Sequence, residues 1–408
     1  MKKIMTIVMI LAITFMSGCS DDNEVVVSDR ISEALPQMLA YDDICAVYTK
    51  SDEIKKAQYE PNEGCYLGAY ILSDRRVNYN IEDFEKAVKK EHCFYTYHIT
   101  DEGKFPLIWL MECISEKKTP IFILTAKISE DMTRIEKLAD SLGEYNVPIF
   151  LEINTYKEGY EREEYINFFR MASDIVKKKA PNVAVIWGSE ASQVYDAMKF
   201  YPGDEYVDWV GLTIYERIGS DNTIERYSAQ VEYFYQNFQY KKPIFISGLC
   251  VSHYTSYGHI YQNKNAADEI NRLYNEIAVR YPRIKAVSYA DFNAFETNTQ
   301  REEKDDFCLT DSAEMLEAYR ESIKNKRFIS SLRENEELKE QRIKTPFIGY
   351  VTGEGAYIPT EAINTLWGIS MQESYMAIVG DERCYSAQYV AKQLGKELIV
   401  ENGNVTIG

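Results

Sequence analysis

Acidic side chains stand at the ends of several apolar runs in this sequence, and these are places where chemistry could occur. Glu152, Glu216 and Asp291 each close such a run. Carboxyl groups can donate or accept protons, so they matter if one fold brings them together. Aromatic residues and a histidine occupy similar places: Trp187, Tyr215, His253, Tyr254 and Tyr289.

The elements that would position these side chains are eight apolar runs, each followed by a helix-like segment. The predicted strands are Tyr66–Leu72, Cys93–Ile99, Pro120–Thr125, Pro148–Ile153, Asn182–Trp187, Val207–Tyr215, Pro243–Leu249 and Ile284–Ala290. The predicted helices are Ile81–Lys90, Phe105–Lys117, Met132–Glu144, Glu163–Lys179, Ser192–Phe200, Ile224–Tyr240, Asn265–Arg280 and Ser312–Ile323.

Strands that are apolar throughout are typical of a parallel sheet with a covered outer face. Eight βα units in about 260 residues predict an α/β fold, a (β/α)8 TIM barrel, whose functional side chains lie at the C-terminal strand ends. A doubly wound open sheet is the alternative, although no glycine-rich phosphate loop follows the first predicted strand.

A family resemblance is carried by the middle of the chain. The sequence APNV at 180–183 leads to Trp187, and YPGDEYVDWVGL at 201–212 leads to Tyr215. Gly68-Ala69-Tyr70, Lys242-Pro243-Ile244 and Tyr289 fit the same pattern. Together these segments resemble glycoside hydrolase family 26, mainly β-mannanases, over residues 64–300 and most specifically over 148–248.

The resemblance implies two carboxylates about 5 Å apart at the ends of strands four and seven, as in retaining glycosidases. Glu152 best matches the general acid/base, with Glu158 as the alternative. At the end of strand seven the expected nucleophile position holds Gly248, and no residue from Gly248 to Tyr261 is acidic. Glu216 or Asp291 remains open as the second carboxylate, and Cys250 or His253 as another substitute.

The loop after strand seven combines histidines with tyrosines. His253 and His259 bracket Tyr254 and Tyr257, and only Asp291 could complete a metal site with them, so the sequence predicts no metal or cofactor. The prediction is instead a polar, aromatic groove. Trp187, Tyr215, Tyr254 and Tyr289 are the candidate sugar-stacking rings, with packing of the barrel mouth as the alternative for each.

The N-terminus predicts lipidation and export. Lys2 and Lys3 precede a short apolar stretch that is too short for a permanent membrane helix. The following Met16-Ser17-Gly18-Cys19 resembles a bacterial lipobox. The resemblance implies cleavage before Cys19, acyl chains such as palmitate on the mature N-terminus, and anchoring outside the cytoplasm. An ordinary cleaved signal peptide is the alternative.

The net charge and the cysteine spacing argue against nucleic-acid binding, zinc binding and a dense disulfide framework. The net charge of −18 argues against a nucleic-acid partner held by a broad basic surface. The eight cysteines are scattered without a CxxC pair, so neither a zinc site nor a dense disulfide framework is predicted, although one bridge remains open.

The C-terminal segment differs from the barrel in its pattern. Tyr357 and, twenty-eight residues later, Tyr385 each lead into a short helix that ends in Leu-Trp-Gly or Leu-Gly. Asn402-Gly403 separates two apolar runs and predicts a hairpin. The segment resembles the copper amine oxidase N-terminal-like repeat module, a small α+β unit, and contains no histidine for copper.

The predicted organisation is therefore a signal peptide over 1–18, a tether and lead-in over 19–60, the barrel over 61–325, a charged linker over 326–344 and the module over 345–408. The predicted function is that of a catalytically impaired, surface-anchored relative of family 26 that binds a β-linked polysaccharide. The alternative is an active glycosidase with Glu152 as acid/base and a non-standard second carboxylate.

Overall fold

The structure is a computed structural model, and it describes residues 35–51, 54–99, 105–126, 128, 132–155, 161–296, 304–334, 336–337 and 339–408. The signal peptide, Cys19 and Glu158 lie outside these residues. No helix in the described part of the chain is long and apolar enough to cross a membrane.

Eight parallel strands form the larger unit, and a helix follows each of them. The strands are β1 Cys65–Ser73, β2 Phe94–Ile99, β3 Thr119–Ala126, β4 Ile149–Thr155, β5 Val183–Glu190, β6 Trp209–Glu216, β7 Ile244–Val251 and β8 Ile284–Phe292. The helices are α1 Ile81–Val88, α2 Leu107–Ser115, α3 Thr133–Gly143, α4 Arg162–Lys179, α5 Val194–Ala197, α6 Ser228–Phe238, α7 Asn263–Val279 and α8 Ala313–Ile323. All eight predicted strands and helices are present.

The sheet closes on itself because β8 pairs with both β7 and β1 in parallel, as in the pairs Ala286↔Tyr66 and Ala286↔Phe245. The prediction of a (β/α)8 barrel is confirmed, and an open doubly wound sheet is excluded. Local sequence signals set the helix starts: Asn80 caps α1 by accepting from the Asp83 N–H, and Ser312 caps α8 by accepting from the Met315 N–H.

Large apolar side chains fill the lower half of the barrel interior. Phe94, Phe150, Trp209 and Phe245 come from four different strands and pack against one another there. The segment before β1 covers this floor, since the backbone oxygen of Gln58 accepts a hydrogen bond from Trp209 Nε1 at 2.7 Å. A second apolar layer lies between the strands and the surrounding helices.

The second unit is an eight-stranded sheet built from both ends of the described chain. Its strands, in spatial order, are Gln37–Leu39, Ala377–Val379, Glu382–Ser386, Gly355–Pro359, Gln341–Thr352, Asp43–Ser51, Asn404–Ile407 and Leu398–Glu401. The helices Thr360–Trp367 and Ala387–Leu394 follow two of these strands and end at Gly368 and Gly395 in the left-handed region. Asn402 and Gly403 form the predicted hairpin turn, both with positive φ.

Three segments that the sequence pattern assigns to the lead-in or the linker lie in sheets. Asp43–Ser51 is a central strand of the second unit, and Gln341–Lys344 begins the strand beside it. Phe328–Ile329 pairs with the start of β1. These pairings join segments that are far apart in the chain, so they leave no local periodicity in the sequence.

Specific contacts link the second unit to the barrel. The Tyr48 hydroxyl donates to the backbone oxygens of Val279 and Arg280 at the end of α7. Lys344 forms an ion pair with Glu232 of α6. All seven cysteines of the described chain are buried and free, so none of them forms a disulfide there.

Candidate functional site

The candidate site lies at the barrel mouth, where the C-terminal strand ends meet. Successive residues of a strand point alternately into and out of the barrel. The interior cluster fixes which residues of each strand point inward, since it includes Tyr66, Phe94, Ile121, Phe150, Ile186 and Trp209. Counting forward in steps of two gives the inward side chains at the rim, which are Tyr70, His98, Thr125, Asn154, Glu190 and Tyr215.

Glu152 points into the barrel one level below this rim. Its side chain is only 3% exposed. Two glycines on the next two strands make room for it: a Cβ on Gly188 of β5 would lie 2.4 Å from Glu152 Oε1, and one on Gly211 of β6 would lie 3.0 Å from Oε2. The glycines therefore accommodate a buried carboxylate at the predicted acid/base position.

Gly248 also faces the barrel interior, because a register shift in β7 brings it opposite Thr213. A Cβ on Gly248 would lie 3.3 Å from Thr213 Cγ2 and 3.6 Å from the Tyr215 ring. Thr213 and Ser247 hydroxyls approach each other at 3.3 Å beside this point. The position predicted for the nucleophile thus has the inward direction that a nucleophile requires but carries no side chain.

Glu216, one of the two predicted substitutes, points away from the mouth. It follows the inward-facing Tyr215, so its side chain lies on the outer face of β6, where it is fully buried. Arg272 of α7 donates to Glu216 Oε1 at 2.7 Å. Burial raises the pKa of Glu216 to about 7 although Arg272 opposes this shift. The structure therefore does not bring Glu216 opposite Glu152.

Asp291, the other substitute, is likewise buried on the outer face of β8. The backbone N–H of Leu309 donates to Asp291 Oδ1 at 2.7 Å. Burial, together with the neighbouring Asp74 carboxyl group, raises the pKa of Asp291 well above its usual value. This carboxyl group connects β8 to the loops around it and does not face Glu152.

Two of the predicted sugar-stacking rings are also outside the mouth. Trp187 packs under the helices against Tyr201 and Phe238, with ring centroids 5.2 and 6.0 Å apart. The Tyr289 hydroxyl donates to the Phe307 backbone oxygen at 2.9 Å, and its ring is fully buried. Both residues occupy outward positions of their strands, which explains why neither ring is available to a ligand in the barrel.

Tyr215 is the predicted aromatic residue that does lie at the mouth. Its half-buried ring is next to Gly248 and to Phe292 and Phe307, whose centroids are 6.1 and 6.2 Å away. Burial raises its pKa, and the charges of Glu190 and Glu152 contribute to this shift. Tyr215 therefore shares the inward face of the barrel with Glu152 and Glu190.

Tyr254 lies in a small antiparallel sheet formed by Tyr254–Thr255, Ile260–Tyr261 and Asp305–Asp306, and His253 directly precedes its first strand. His253 is buried, which lowers its pKa, although the charge of Asp311 opposes this shift. Tyr254 is half-buried, and its hydroxyl group shares a hydrogen bond of 3.0 Å with His259 Nδ1. Its ring packs against that of Tyr261, with the ring centroids 4.4 Å apart.

Two residues of the mouth have no role assigned from the sequence, although Glu190 stands at the end of a predicted strand. Glu190 is exposed at the inward rim of β5, two residues beyond Gly188 on the same face. Arg217 donates to Asp305 Oδ2 at 2.7 Å and lies over the rings of Tyr215 and Phe307. Glycine spacing on β5 was the available signal for Glu190, whereas Arg217 depends on a loop contact that the sequence does not reveal.

Within the described ranges, no group of three or more His, Cys, Asp or Glu side chains is arranged to hold a metal ion. The arrangement at the mouth offers two inward carboxylates, amide and hydroxyl groups, and aromatic faces.

Comparison with known proteins gives one family match and several structural similarities. No curated protein sequence matches the chain. The solved structures include GH26C from Muricauda sp. MAR_2010_75, with 12% identity and a TM-score of 0.46, covering 67% of this chain and 91% of that one. They also include the GH26 β-mannanase BoMan26A from Bacteroides ovatus, with 12% identity and a TM-score of 0.47, covering 68% and 92%.

A third similar structure is the β-D-glucuronidase of Dictyoglomus thermophilum, with 12% identity and a TM-score of 0.49, covering 70% of this chain and 55% of that one. The family match is to the model described as glycosyl hydrolase family 26, over residues 126–249. That range begins at the end of β3 and ends in β7. The part of the chain that carries Glu152, its two glycines and Gly248 is therefore the part that is similar to glycosyl hydrolase family 26.

Proposed function

We propose that this chain is a lipid-anchored, extracytoplasmic protein that binds a β-linked polysaccharide at its barrel mouth and does not perform retaining hydrolysis. The observation that carries the proposal is the inward-facing Gly248. Retaining hydrolysis needs a second carboxylate about 5–5.5 Å from the acid/base. A glycine supplies no group that could attack an anomeric carbon.

The outward orientation of Glu216 and Asp291 supports the same conclusion. Each is fully buried among helix and loop residues and is held by a partner there, Arg272 for Glu216 and the Leu309 N–H for Asp291. Moving either carboxylate into the barrel would require a flip of the strand.

Binding is supported by the side chains that the mouth retains. Tyr70 and His98 lie on one side with ring centroids 5.1 Å apart, and Tyr215 and Glu190 lie on the other. Aromatic faces suit the apolar faces of sugar rings, and carboxylate and amide groups accept and donate hydrogen bonds to hydroxyl groups. The similarity of residues 126–249 to a glycosyl hydrolase family favours a glycan over other ligands.

The test measures binding and turnover separately on manno-, gluco- and xylo-polysaccharides. We expect retention of the chain by one polysaccharide in affinity electrophoresis and no release of reducing ends. Tyr215→Ala should weaken binding by on the order of tenfold, as expected for loss of an aromatic contact. Tyr240→Ala, at an exposed position on the other side of the β6α6 unit, is the matched control. Turnover that Glu152→Gln abolishes would overturn the proposal.

The position of Glu190 favours a second candidate function, which is hydrolysis with Glu152 as acid/base and a non-standard second carboxylate. Glu190 is exposed, faces inward from the strand next to Glu152, and contributes with Glu152 to the electrostatic environment of Tyr215. In that case Glu190→Gln would abolish turnover as completely as Glu152→Gln. Product stereochemistry would then distinguish an inverting from a retaining reaction.

The lipid anchor rests on the sequence of residues 1–19 alone. The wild-type chain should incorporate radiolabelled palmitate at Cys19 and should sediment with membranes. Cys19→Ser should do neither. Label retained by the Cys19→Ser chain would contradict this part of the proposal.

A further inference from the structure

A cavity of about 1030 Å³ lies between the floor side of the barrel and the second unit, far from the mouth. Gly64 before β1, Lys285 in β8 and Arg327 after α8 form its barrel wall. Gln341 and Arg342, at the start of the long strand of the second unit, form part of the opposite wall. The volume is sufficient for a small ligand.

The charge of this cavity is opposite to that of the whole chain. Seven Lys or Arg residues and four Glu residues line it, a surplus of three basic side chains, whereas the chain carries a net charge of −18. The local surplus concentrates positive potential in a concave, partly enclosed space. Such a space attracts anions.

Three of the four acidic side chains are already engaged. Glu340 pairs with Lys50 at 3.3 Å, Glu401 pairs with Arg342 at 3.2 Å, and Glu336 lies 3.7 Å from Lys56. The remaining basic side chains of the wall have no acidic partner within ion-pair distance in the described chain. They are Lys285, Lys326, Arg327, Arg333 and Lys339.

Two of these unpaired cations are deeply placed. Lys285 is 2% exposed, and its only described hydrogen bond goes to the Asn62 backbone oxygen at 2.8 Å. Arg327 donates through Nη2 to the backbone oxygens of Tyr281, Pro282 and Ile284. Burial lowers the pKa of Lys285 to about 7 and also lowers the pKa of Arg327, so a ligand that supplies negative charge here would stabilise the charged form of each side chain.

The unsatisfied polar atoms on the wall are all hydrogen-bond donors. Arg327 Nε, Arg342 Nε and Gln341 Nε2 are buried without an acceptor in the described chain, and the Gln341 side chain is 2% exposed. Buried donors normally find an acceptor in a folded protein. A ligand that fits this wall must therefore accept several hydrogen bonds, as the oxygens of a phosphate or carboxylate group do.

We propose that this cavity is a binding site for a small anionic ligand whose charge is carried by phosphate or carboxylate oxygens. Lys285 and Arg327 supply the charge at its base, and Gln341 and Arg342 supply donors from the second unit. The site is independent of the barrel mouth. Because both units contribute to the wall, an occupied site would also strengthen their association.

The experiment is isothermal titration of the full chain with three probes: inorganic phosphate, D-glucuronate and neutral D-glucose. We expect both anions to bind with a Kd of about 1 mM or tighter and glucose not to bind. The tighter of the two anions identifies the ligand chemistry as phosphate or carboxylate. Equal affinities would still support an oxyanion site.

Variants locate the binding. Lys285→Met and the exposed Lys339→Ala should each weaken anion binding by on the order of tenfold, since each removes a charged partner. Lys90→Met is the matched control: Lys90 is a half-buried lysine that also donates only to backbone oxygens, those of Ile323 and Phe328, but it does not line the cavity. Circular dichroism would verify folding, and Lys339→Ala keeps the test valid if Lys285→Met unfolds.

Three results would overturn the proposal. The first is the absence of anion binding at tens of millimolar concentration. The second is equal affinity for glucose and the anions, which would show that charge is not recognised. The third is unchanged affinity in both cavity variants, which would place the anion elsewhere on the chain.

Discussion

Replacing Gly188 with alanine tests whether the buried Glu152 carboxylate occupies the space above this strand. The new Cβ would lie 2.4 Å from Glu152 Oε1 and 2.7 Å from Cδ, where ordinary contact begins near 3.4 Å. The carboxylate has little room to move away, because its other oxygen is already close to Gly211. Gly188→Ala therefore forces two buried groups together.

The expected magnitude follows from two opposing effects. Overpacking of a core costs about 1–3 kcal/mol. Restricting the unfolded chain by a Gly→Ala change offsets this by about 0.4–1 kcal/mol. We therefore expect Gly188→Ala to lower the free energy of unfolding by about 1–2 kcal/mol. Gly353→Ala is the control, since a Cβ there meets no atom within 4 Å and should change stability by less than about 0.5 kcal/mol.

A double-mutant cycle isolates the contact itself. In a Glu152→Ala background the clash is absent, so adding Gly188→Ala should be neutral or slightly stabilising. The interaction energy between the two positions should thus be about 1–2 kcal/mol. Urea unfolding followed by tryptophan fluorescence measures it, because Trp187 and Trp209 are buried in the adjacent strands. Additivity within about 0.3–0.5 kcal/mol would refute the position inferred for the carboxylate.

Three further predictions concern the nucleophile position, the outward carboxylate Glu216 and the buried ion pair between Arg283 and Glu60. Gly248→Glu should fold, because a Cβ at this position meets only ordinary or slightly tight contacts with Thr213 and Tyr215. The variant should release measurable amounts of reducing ends from the polysaccharide. A folded but inactive variant would contradict the assignment of position 248 as the nucleophile position. Between pH 4.5 and 7 the carboxyl group of Glu216 binds more protons in the folded chain than in the unfolded chain. The free energy of unfolding should therefore fall by about 1–3 kcal/mol as the pH rises through this window. Urea unfolding at pH 5 and pH 8 measures this fall, and Glu216→Gln should remove the contribution of Glu216 to it. Arg283→Met should lower the free energy of unfolding by about 3–5 kcal/mol, because it removes the guanidinium group that lies 3.1 Å from the buried Glu60 carboxylate. Urea unfolding measures this loss, and a loss below about 1 kcal/mol would contradict the prediction.

The fold could be predicted from the sequence because the barrel depends on local patterns. Each strand is a short apolar run, and each helix follows within a few residues. By contrast, Asp43–Ser51 pairs with Gln341–Thr352, and neither segment indicates the other. A strand whose partner lies at the opposite end of the chain cannot be recognised from periodicity, so the second unit extends further than its sequence pattern suggests.

The side-chain directions at the site could not be predicted in the same way. Parallel barrel strands are apolar on both faces, so their composition does not reveal which residues point inward. Tyr215 and Glu216 are neighbours in one strand, and only one of them can face the mouth. The same holds for Trp187 and Gly188. Glycine positions were the better indicators, since Gly188 and Gly211 mark the inward face on which Glu152 needs space.

The register shift in β7 determines whether Gly248 faces into or out of the barrel. Simple alternation from the inward Phe245 would point Ser247 inward and Gly248 outward, and Gly248 would then be irrelevant to catalysis. The shift places Gly248 opposite Thr213, with its Cβ direction towards Tyr215. An inward-directed position at the end of β7 that carries no side chain is consistent with the proposal of glycan binding without retaining hydrolysis. The contacts that would hold a sugar at the mouth do not depend on a side chain at position 248.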